Sequence, residues 1–455
     1  MAGALSRRDG PRVAGKRADA ARGVDERPLG AAPFKKLKPG PGLSAEAVAR
    51  DQRQRLRDAL VHIVATSGPE GLTVRAVSAL AGVSTRTFYE RFSGTEECFE
   101  YAYESTVQAA LGRARSASRV PGGRRANLER VIHSLYSSLA AQPTDAQLVL
   151  SAAYGAGVPV RRRLRETLAE LGATFEEALG RTSSEVAATP HLIAGFAAGT
   201  LAIARRTVIA RRAAELPALS GEVSNWVLSI LCRDILELRP VGASADLSPA
   251  NGSVAPGRAD SNAVTRRSDN PRRQILHAVT RLAADSGYSA LSVPAICMHA
   301  GLSRREFDVH FATLEECFLD AVETLSTVLI ANSVRSAQGL PTWEDRVQAT
   351  VQAICVDSAE SPRRARIVFA EVLEPGTAGV FRRDALISRL ADGLDADARL
   401  NRSQDPIATT ASLSAIWQIV HSEVCAGRTK SLPALAPILS FVVTASDAGP
   451  PRASS

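Results

Sequence analysis

Gly71-Leu72-Thr73-Val74-Arg75 is followed, after six residues, by Gly82-Val83-Ser84-Thr85-Arg86-Thr87-Phe88-Tyr89-Glu90-Arg91-Phe92. This stretch decides the fold. Ahead of it, Leu56, Ala59, Leu60, Ile63 and Val64 keep the spacing of an amphipathic helix, which Ser67-Gly68-Pro69-Glu70-Gly71 stops. Thr73 can cap a short helix over 74–81, and Gly82 supplies a sharp turn. Ser84 can cap a third helix over 85–92, and Thr95 a fourth. Two short helices joined by a glycine turn, behind a longer one, make a helix-turn-helix. Its second helix offers a face to the DNA major groove.

Phe88 and Phe92, four apart, should point inward and lock that helix. Thr85, Arg86 and Thr87 fill its first turn, where side chains reach base edges. An arginine there can pair with guanine in bidentate fashion, and threonine methyls can meet thymine methyls. The Ser84-capped N-terminus suits a phosphate. Arg75 on the preceding helix is a further base or phosphate candidate, and Tyr89 stands beside Phe88 with its hydroxyl free. Together these residues resemble the DNA-binding domain of the TetR family of transcriptional regulators. The resemblance implies that Tyr89 holds a phosphate and that Arg91 occupies a position often basic or histidine. It also marks Thr95 as standing where many relatives carry a phosphate-binding lysine. A C-terminal helical domain that binds a small ligand and dimerises through its last two helices is implied as well.

The motif occurs twice. Sliding the chain by 219 positions lays Arg53–Phe99 on Arg272–Phe318 without a gap, with 18 identities in 47 positions. Further on, Leu216-Pro217-Ala218-Leu219 recurs as Leu432-Pro433-Ala434-Leu435. A tandem repeat is the expectation. The copies lie within an all-α chain, since no stretch alternates with period two. The expected organisation is a disordered basic arm over 1–43, a helix-turn-helix unit over 44–104 and a helical regulatory region over 105–239. A linker over 240–270, rich in Gly, Pro and Ser, leads to a degenerate second unit over 271–322. A second regulatory region over 323–446 and a tail over 447–455 complete the chain.

In the second unit Tyr89 becomes Asp308, Thr87 becomes Glu306 and Arg75 becomes Pro294. Ser303-x-x-Glu306 is a capping box, so Glu306 should fold back onto its own helix start. Asp308 would set a carboxylate near phosphates, whereas Ser303, Arg304, Arg305 and His310 remain candidate contacts. A weakened or altered reader is expected. The stripes around Trp226 and around Leu435, Ile438, Leu439 and Val442 are candidates for a four-helix interface. It can form within one chain, as a pseudo-dimer, or between two chains as a homodimer.

Of the formal net charge of +8, about +6 sits in residues 1–43, where ten basic residues face four acidic ones. Such an arm suits a polyanion. The six cysteines are scattered without metal-ligand spacing, so free thiols, mostly buried, and no metal are expected. No P-loop, GxSxG or HExxH occurs, and Gly155-Ala156-Gly157 lacks the third glycine of a nucleotide-binding turn, so neither an enzyme nor a bound cofactor is indicated. Arg161-Arg162-Arg163 and Arg205-Arg206 read as solvated faces. Phe196, Trp343, Phe369 and Trp417, with His133, His191 or His421, are pocket candidates. The apolar run His191–Ala204 is shorter than the roughly 20 residues a membrane span requires, and no secretion signal opens the chain. A cytoplasmic protein away from membranes is expected, and the bias to Arg over Lys, with abundant Ala, suits a GC-rich bacterial genome.

The leading functional expectation is a sequence-specific regulator of transcription that binds a double-stranded DNA operator and is released, as a repressor, by a small-molecule effector. Two alternatives stand beside it: a ligand-binding scaffold with vestigial helix-turn-helix units, and a nonspecific nucleic-acid binder led by its arm.

Overall fold

The computed structural model describes residues 44–180, 190–231, 270–395 and 406–447; the basic arm, the linker up to 269, Cys232 and the tail from 448 lie outside the described residues. The fold is all-α, with no strand among the described residues. The first half contains α1 (Ala45–Ser67), α2 (Val74–Ala81), α3 (Thr85–Tyr89), α4 (Thr95–Ser118), α5 (Arg124–Ala141), α6 (Pro143–Leu150), α7 (Val158–Leu179), α8 (Pro190–Ile209) and α9 (Ser220–Leu231). In the second half come α10 (Pro271–Ser286), α11 (Val293–Ala300), α12 (Arg304–His310), α13 (Leu314–Ser336), α14 (Trp343–Glu360), α15 (Pro362–Ala365), α16 (Thr377–Asp395), α17 (Pro406–Cys425) and α18 (Leu432–Asp447). Between α15 and α16 the chain makes a π-helical turn, Arg366–Ala370, and a 3-10 turn, Glu371–Leu373.

The caps read from the sequence largely form. Thr73 accepts from Ala76 N at 3.1 Å, Gly82 takes the left-handed conformation at φ +64°, and Ser84 accepts from Thr87 N at 3.0 Å. Two local expectations need correction. The third helix stops at Tyr89 rather than running to Phe92, although Phe92 N still donates to the Phe88 carbonyl at 2.8 Å. Thr95 is not a cap: Gly94 occupies the N-cap position without a side chain, and Glu97 instead reaches back to Ser93 N at 2.7 Å. The threonine that does cap is Thr313, one position earlier in the other repeat, accepting from Glu316 N at 3.0 Å.

Each helix-turn-helix sits on a bundle of its own half. Arg57 of α1, nearly buried, donates to Thr106 of α4 at 2.7 Å and pairs with Asp145 of α6, tying the first unit down. The second unit uses other bonds. Tyr288 N, at the turn before α11, donates to Glu371 at 2.8 Å, and Asp285 pairs with Arg363 at 3.1 Å.

The two halves meet through α8 and α9 against α17 and α18. Small residues allow the closest approach. A Cβ on Gly199 would stand 2.4 Å from the Trp226 ring and 2.8 Å from the Ala411 carbonyl oxygen, and one on Gly195 would stand 3.2 Å from Ala415. Only glycine fits at 199. Trp226 donates its indole N–H to Ser412 across the boundary at 2.9 Å. Ile438 and Val442 join the core of the first half, but Leu435 and Leu439 turn to their own half's core, which narrows the expected stripe. His191–Ile209 and Leu314–Ser336 are long and apolar enough to cross a membrane, the first longer than the run read from the sequence. Two-thirds of that first window is buried inside the protein, where it supplies the contact between halves.

Of the cysteines, Cys98, Cys297, Cys317 and Cys355 are buried free thiols and Cys425 is exposed. Burial pushes Cys98, Cys317 and Cys355 up to about 12, which leaves them protonated packing groups.

Candidate nucleic-acid interface

Phe88 and Phe92 are buried against each other, ring centroids 5.9 Å apart, so the opposite face of α3 is forced outward. The Arg53 guanidinium covers the Phe92 and Tyr101 rings at 5.1 and 5.0 Å and seals the base of the unit. On the outward face the Arg86 side chain is 89% exposed, held only by a 3.2 Å contact to Glu90 one turn on. Tyr89 is 60% exposed, its ring edge-on to Phe88 at 5.7 Å. An exposed aromatic anchored to a buried one costs little entropy to place, and its hydroxyl is free for an acceptor.

The remaining candidates divide. Arg75 and Thr85 are exposed on the same unit. The Ser84 hydroxyl is engaged with Thr87 Oγ1 at 2.9 Å as well as with the cap, so both side chains fix the helix start. Arg91 donates to Gln52 of α1 at 2.9 Å, which turns it toward the flank rather than the tip of α3. Gln52 was missed because its role comes from a contact 39 residues away. Thr95 lies half-buried in the first turn of α4.

This geometry can be set beside known proteins. Residues 56–102 match the family model described as bacterial regulatory proteins, tetR family. The first half carries a TetR-type DNA-binding unit. No curated protein matched the sequence. Among solved structures, a transcriptional regulator FadR from Bacillus subtilis, in complex with stearoyl-CoA, is 19% identical, with 38% of this chain and 96% of that chain covered and a TM-score of 0.33. The fatty acid degradation regulator FadR from Bacillus halodurans is 16% identical, over 42% of this chain and 96% of that one, with a TM-score of 0.34.

The second unit keeps the scaffold of the TetR-type unit but not its surface. Phe307 and Phe311 are buried 5.7 Å apart, and Gly301 turns at φ +69°. Both halves of the capping box form: Glu306 N donates to Ser303 at 3.3 Å, and Ser303 N to the Glu306 carboxylate at 2.7 Å. The Ser303 backbone bond, then its hydroxyl, holds the Glu306 carboxyl below the usual range. Arg304 is drawn onto Asp308 at 2.8 Å. Arg305 is exposed and His310 half-buried. Met298 and Val309 stand three-quarters exposed where the first unit has Ala79 and Glu90.

A cavity of about 740 Å³ lies between the halves, walled by α4, α5 and α7 on one side and by α16, α17 and the turns over 366–374 on the other. Of the seven pocket candidates from the sequence, Trp417 and His421 line it. Phe196 packs edge-on to Trp226 at 5.6 Å, Trp343 belongs to the core of the second half, and Phe369 supports Trp417 from behind at 4.7 Å. His133 faces the Pro217 carbonyl and His191 approaches Glu423. The basic runs need a second correction. Arg161 pairs with Glu374 at 3.0 Å, Arg163 with Glu104 and Glu170, and Arg205 is buried; only Arg162 and Arg206 keep the expected solvated character.

Proposed function

We propose that this chain is a sequence-specific transcriptional regulator in which two copies of one module, joined in tandem, form a single internally paired unit. The observation that carries the reading is the outward face of α3: Arg86 and Tyr89, strongly exposed, rooted on buried Phe88 and Phe92. A short capped helix with an exposed guanidinium, held only by Glu90, and an exposed phenol is suited to a base edge and a neighbouring phosphate. Arg75 and Thr85 lie ready to extend the contact, with Ser84 and Thr87 fixing the helix start and Arg91 flanking it. In the second unit Arg304, Arg305 and His310 offer fewer contacts beside Glu306 and Asp308, so the favoured operator is asymmetric.

Contact between α8–α9 and α17–α18 supports internal pairing over a homodimer, because it occupies those helices within one chain. The cavity between the halves supports a ligand-responsive regulator, and release of DNA on ligand binding makes it a repressor. Fluorescence anisotropy of the full chain on the DNA upstream of its own gene, with salt varied, tests the reading. Arg86→Ala should weaken specific binding about tenfold while changing binding to unrelated DNA far less, on the scale of about 1–3 kcal/mol per bidentate base contact. Equal loss on all sequences would instead favour a nonspecific binder, and no loss a scaffold.

A further inference from the structure

The charges around the inter-half cavity do not balance. Arg205 of α8 grips Asp384 of α16 with two bonds, Nε to Oδ2 at 2.9 Å and Nη2 to Oδ1 at 2.8 Å. Arg383 shares that carboxylate, Nη2 to Oδ1 at 3.0 Å. Both arginines line the cavity and are nearly buried, at 4% and 6% exposure. Two buried cations on one carboxylate leave a positive charge without a counterion, an expensive state in a desolvated site. Arg161 of α7 and Arg366 on the facing side are matched by Glu374 and Glu371, at 3.0 and 2.8 Å. Arg165 of α7 is not: it lines the cavity with no acceptor or acidic partner among the described residues. Five arginines thus face three carboxylates.

Two further observations locate the excess. Burial pushes the His421 pKa down despite its 2.8 Å bond to the Phe369 carbonyl, and the charges of Arg383 and Arg165 push it further. Trp417, beside His421 on α17, keeps a buried indole N–H with no acceptor among the described residues, and it too lines the cavity. Val107 and Leu111 of α4, Leu135 of α5 and Leu164 and Leu168 of α7 supply the apolar lining. Pockets of this size, mostly apolar with a few placed polar groups, suit small organic ligands.

We propose that the cavity binds one organic anion per chain, its apolar body against the α4 and α5 lining and its negative group held by the cavity-lining arginines Arg165, Arg205 and Arg383, with Trp417 on the same cavity. This rests on the regulator reading only for its consequence, not for its chemistry. The consequence follows from the walls. Thr106 on the cavity receives the Arg57 bond that ties down the first DNA-binding unit, and Glu371 receives the Tyr288 bond that holds the second. Both holds are therefore anchored on residues that line the cavity, one in each half.

The test uses the full chain and two dyes of like apolar framework: 8-anilinonaphthalene-1-sulfonate, an anion, and uncharged N-phenyl-1-naphthylamine. The anion should saturate at one per chain and bind at least tenfold tighter than the neutral dye. Arg165→Gln, at a solvent-accessible position with no bond to lose, should cut anion affinity about tenfold and leave the neutral dye unchanged. Trp417→Phe, which keeps the ring and removes the N–H, should cut it severalfold. Equal affinity for the two dyes, two anions per chain, or indifference of the anion to Arg165→Gln would each overturn the proposal. Anisotropy on operator DNA with the same samples separates the readings. Normal DNA binding without anion preference sinks this inference alone; anion preference without DNA binding sinks the regulator.

Discussion

The two helix-turn-helix units share a frame and differ in what they present. Both bury a pair of phenylalanines four residues apart, both turn at a left-handed glycine, and both start the outer helix at a serine cap. In the first unit that frame leaves Tyr89 exposed and Arg86 almost fully so, tied only to Glu90. In the second it spends Glu306 on the cap and Arg304 on Asp308, and it exposes Met298 and Val309. Core positions fix the fold, and a handful of outer ones decide whether it can meet a polyanion.

The largest effect should be common to both units. Phe88→Ala and Phe307→Ala each empty a fully buried ring site, at a cost of about 3–5 kcal/mol. Hydrogen exchange of the full chain should show each unit losing protection locally and to a similar degree. If one substitution were tolerated and the other not, the shared frame would be the wrong premise.

On DNA the units should part. Arg86→Ala should weaken operator binding by about 1–3 kcal/mol, whereas Arg305→Ala, at the aligned position, should stay within a few-fold of the parent. Giving the second unit the first unit's side chains, Glu306→Thr with Asp308→Tyr, removes two negative charges from the surface facing phosphates. Affinity should rise a few-fold and its salt dependence steepen. An unchanged affinity would locate the difference elsewhere, at Met298 and Val309 for example.

Much of this was legible in the sequence because caps, turns and buried aromatic pairs act over three or four residues. The first helix-turn-helix and the capping box are of that kind. What escaped depends on distant partners. Arg205 reads as half of a solvated basic pair, yet Asp384, 179 positions away, takes it inside. Gly195 and Gly199 carry no signal of their own within the apolar run His191–Ala204; their role comes from Ala411, Ala415 and Trp226 packed against them. The shortening of α3 is local but fine: Phe92 keeps its bond to Phe88 while the helix has already ended.

The smallest expected difference between the units lies in their response to acid. The α3 cap is built from Ser84, the Thr87 hydroxyl and a backbone N–H, none of which titrates in the acid range. The α12 cap contains the Glu306 carboxylate, which accepts from both the backbone and the hydroxyl of Ser303 at 2.7 Å and is held below its ordinary value. A carboxyl with a depressed pKa in the folded state contributes its full stabilisation above the unfolded value, about 4.3, and loses it as pH falls through the folded one. Protection factors of α12 amides should therefore decline as pH falls below the ordinary glutamate value of about 4.3, while those of α3 stay level. The surface pairs Arg86–Glu90 and Arg304–Asp308 are exposed in both units and screened by water, so they do not create the contrast. Glu306→Gln, which can still accept from Ser303 N but carries no charge, should remove the decline. A decline of equal size in α3 would mean that acid acts on the shared frame and not on the box.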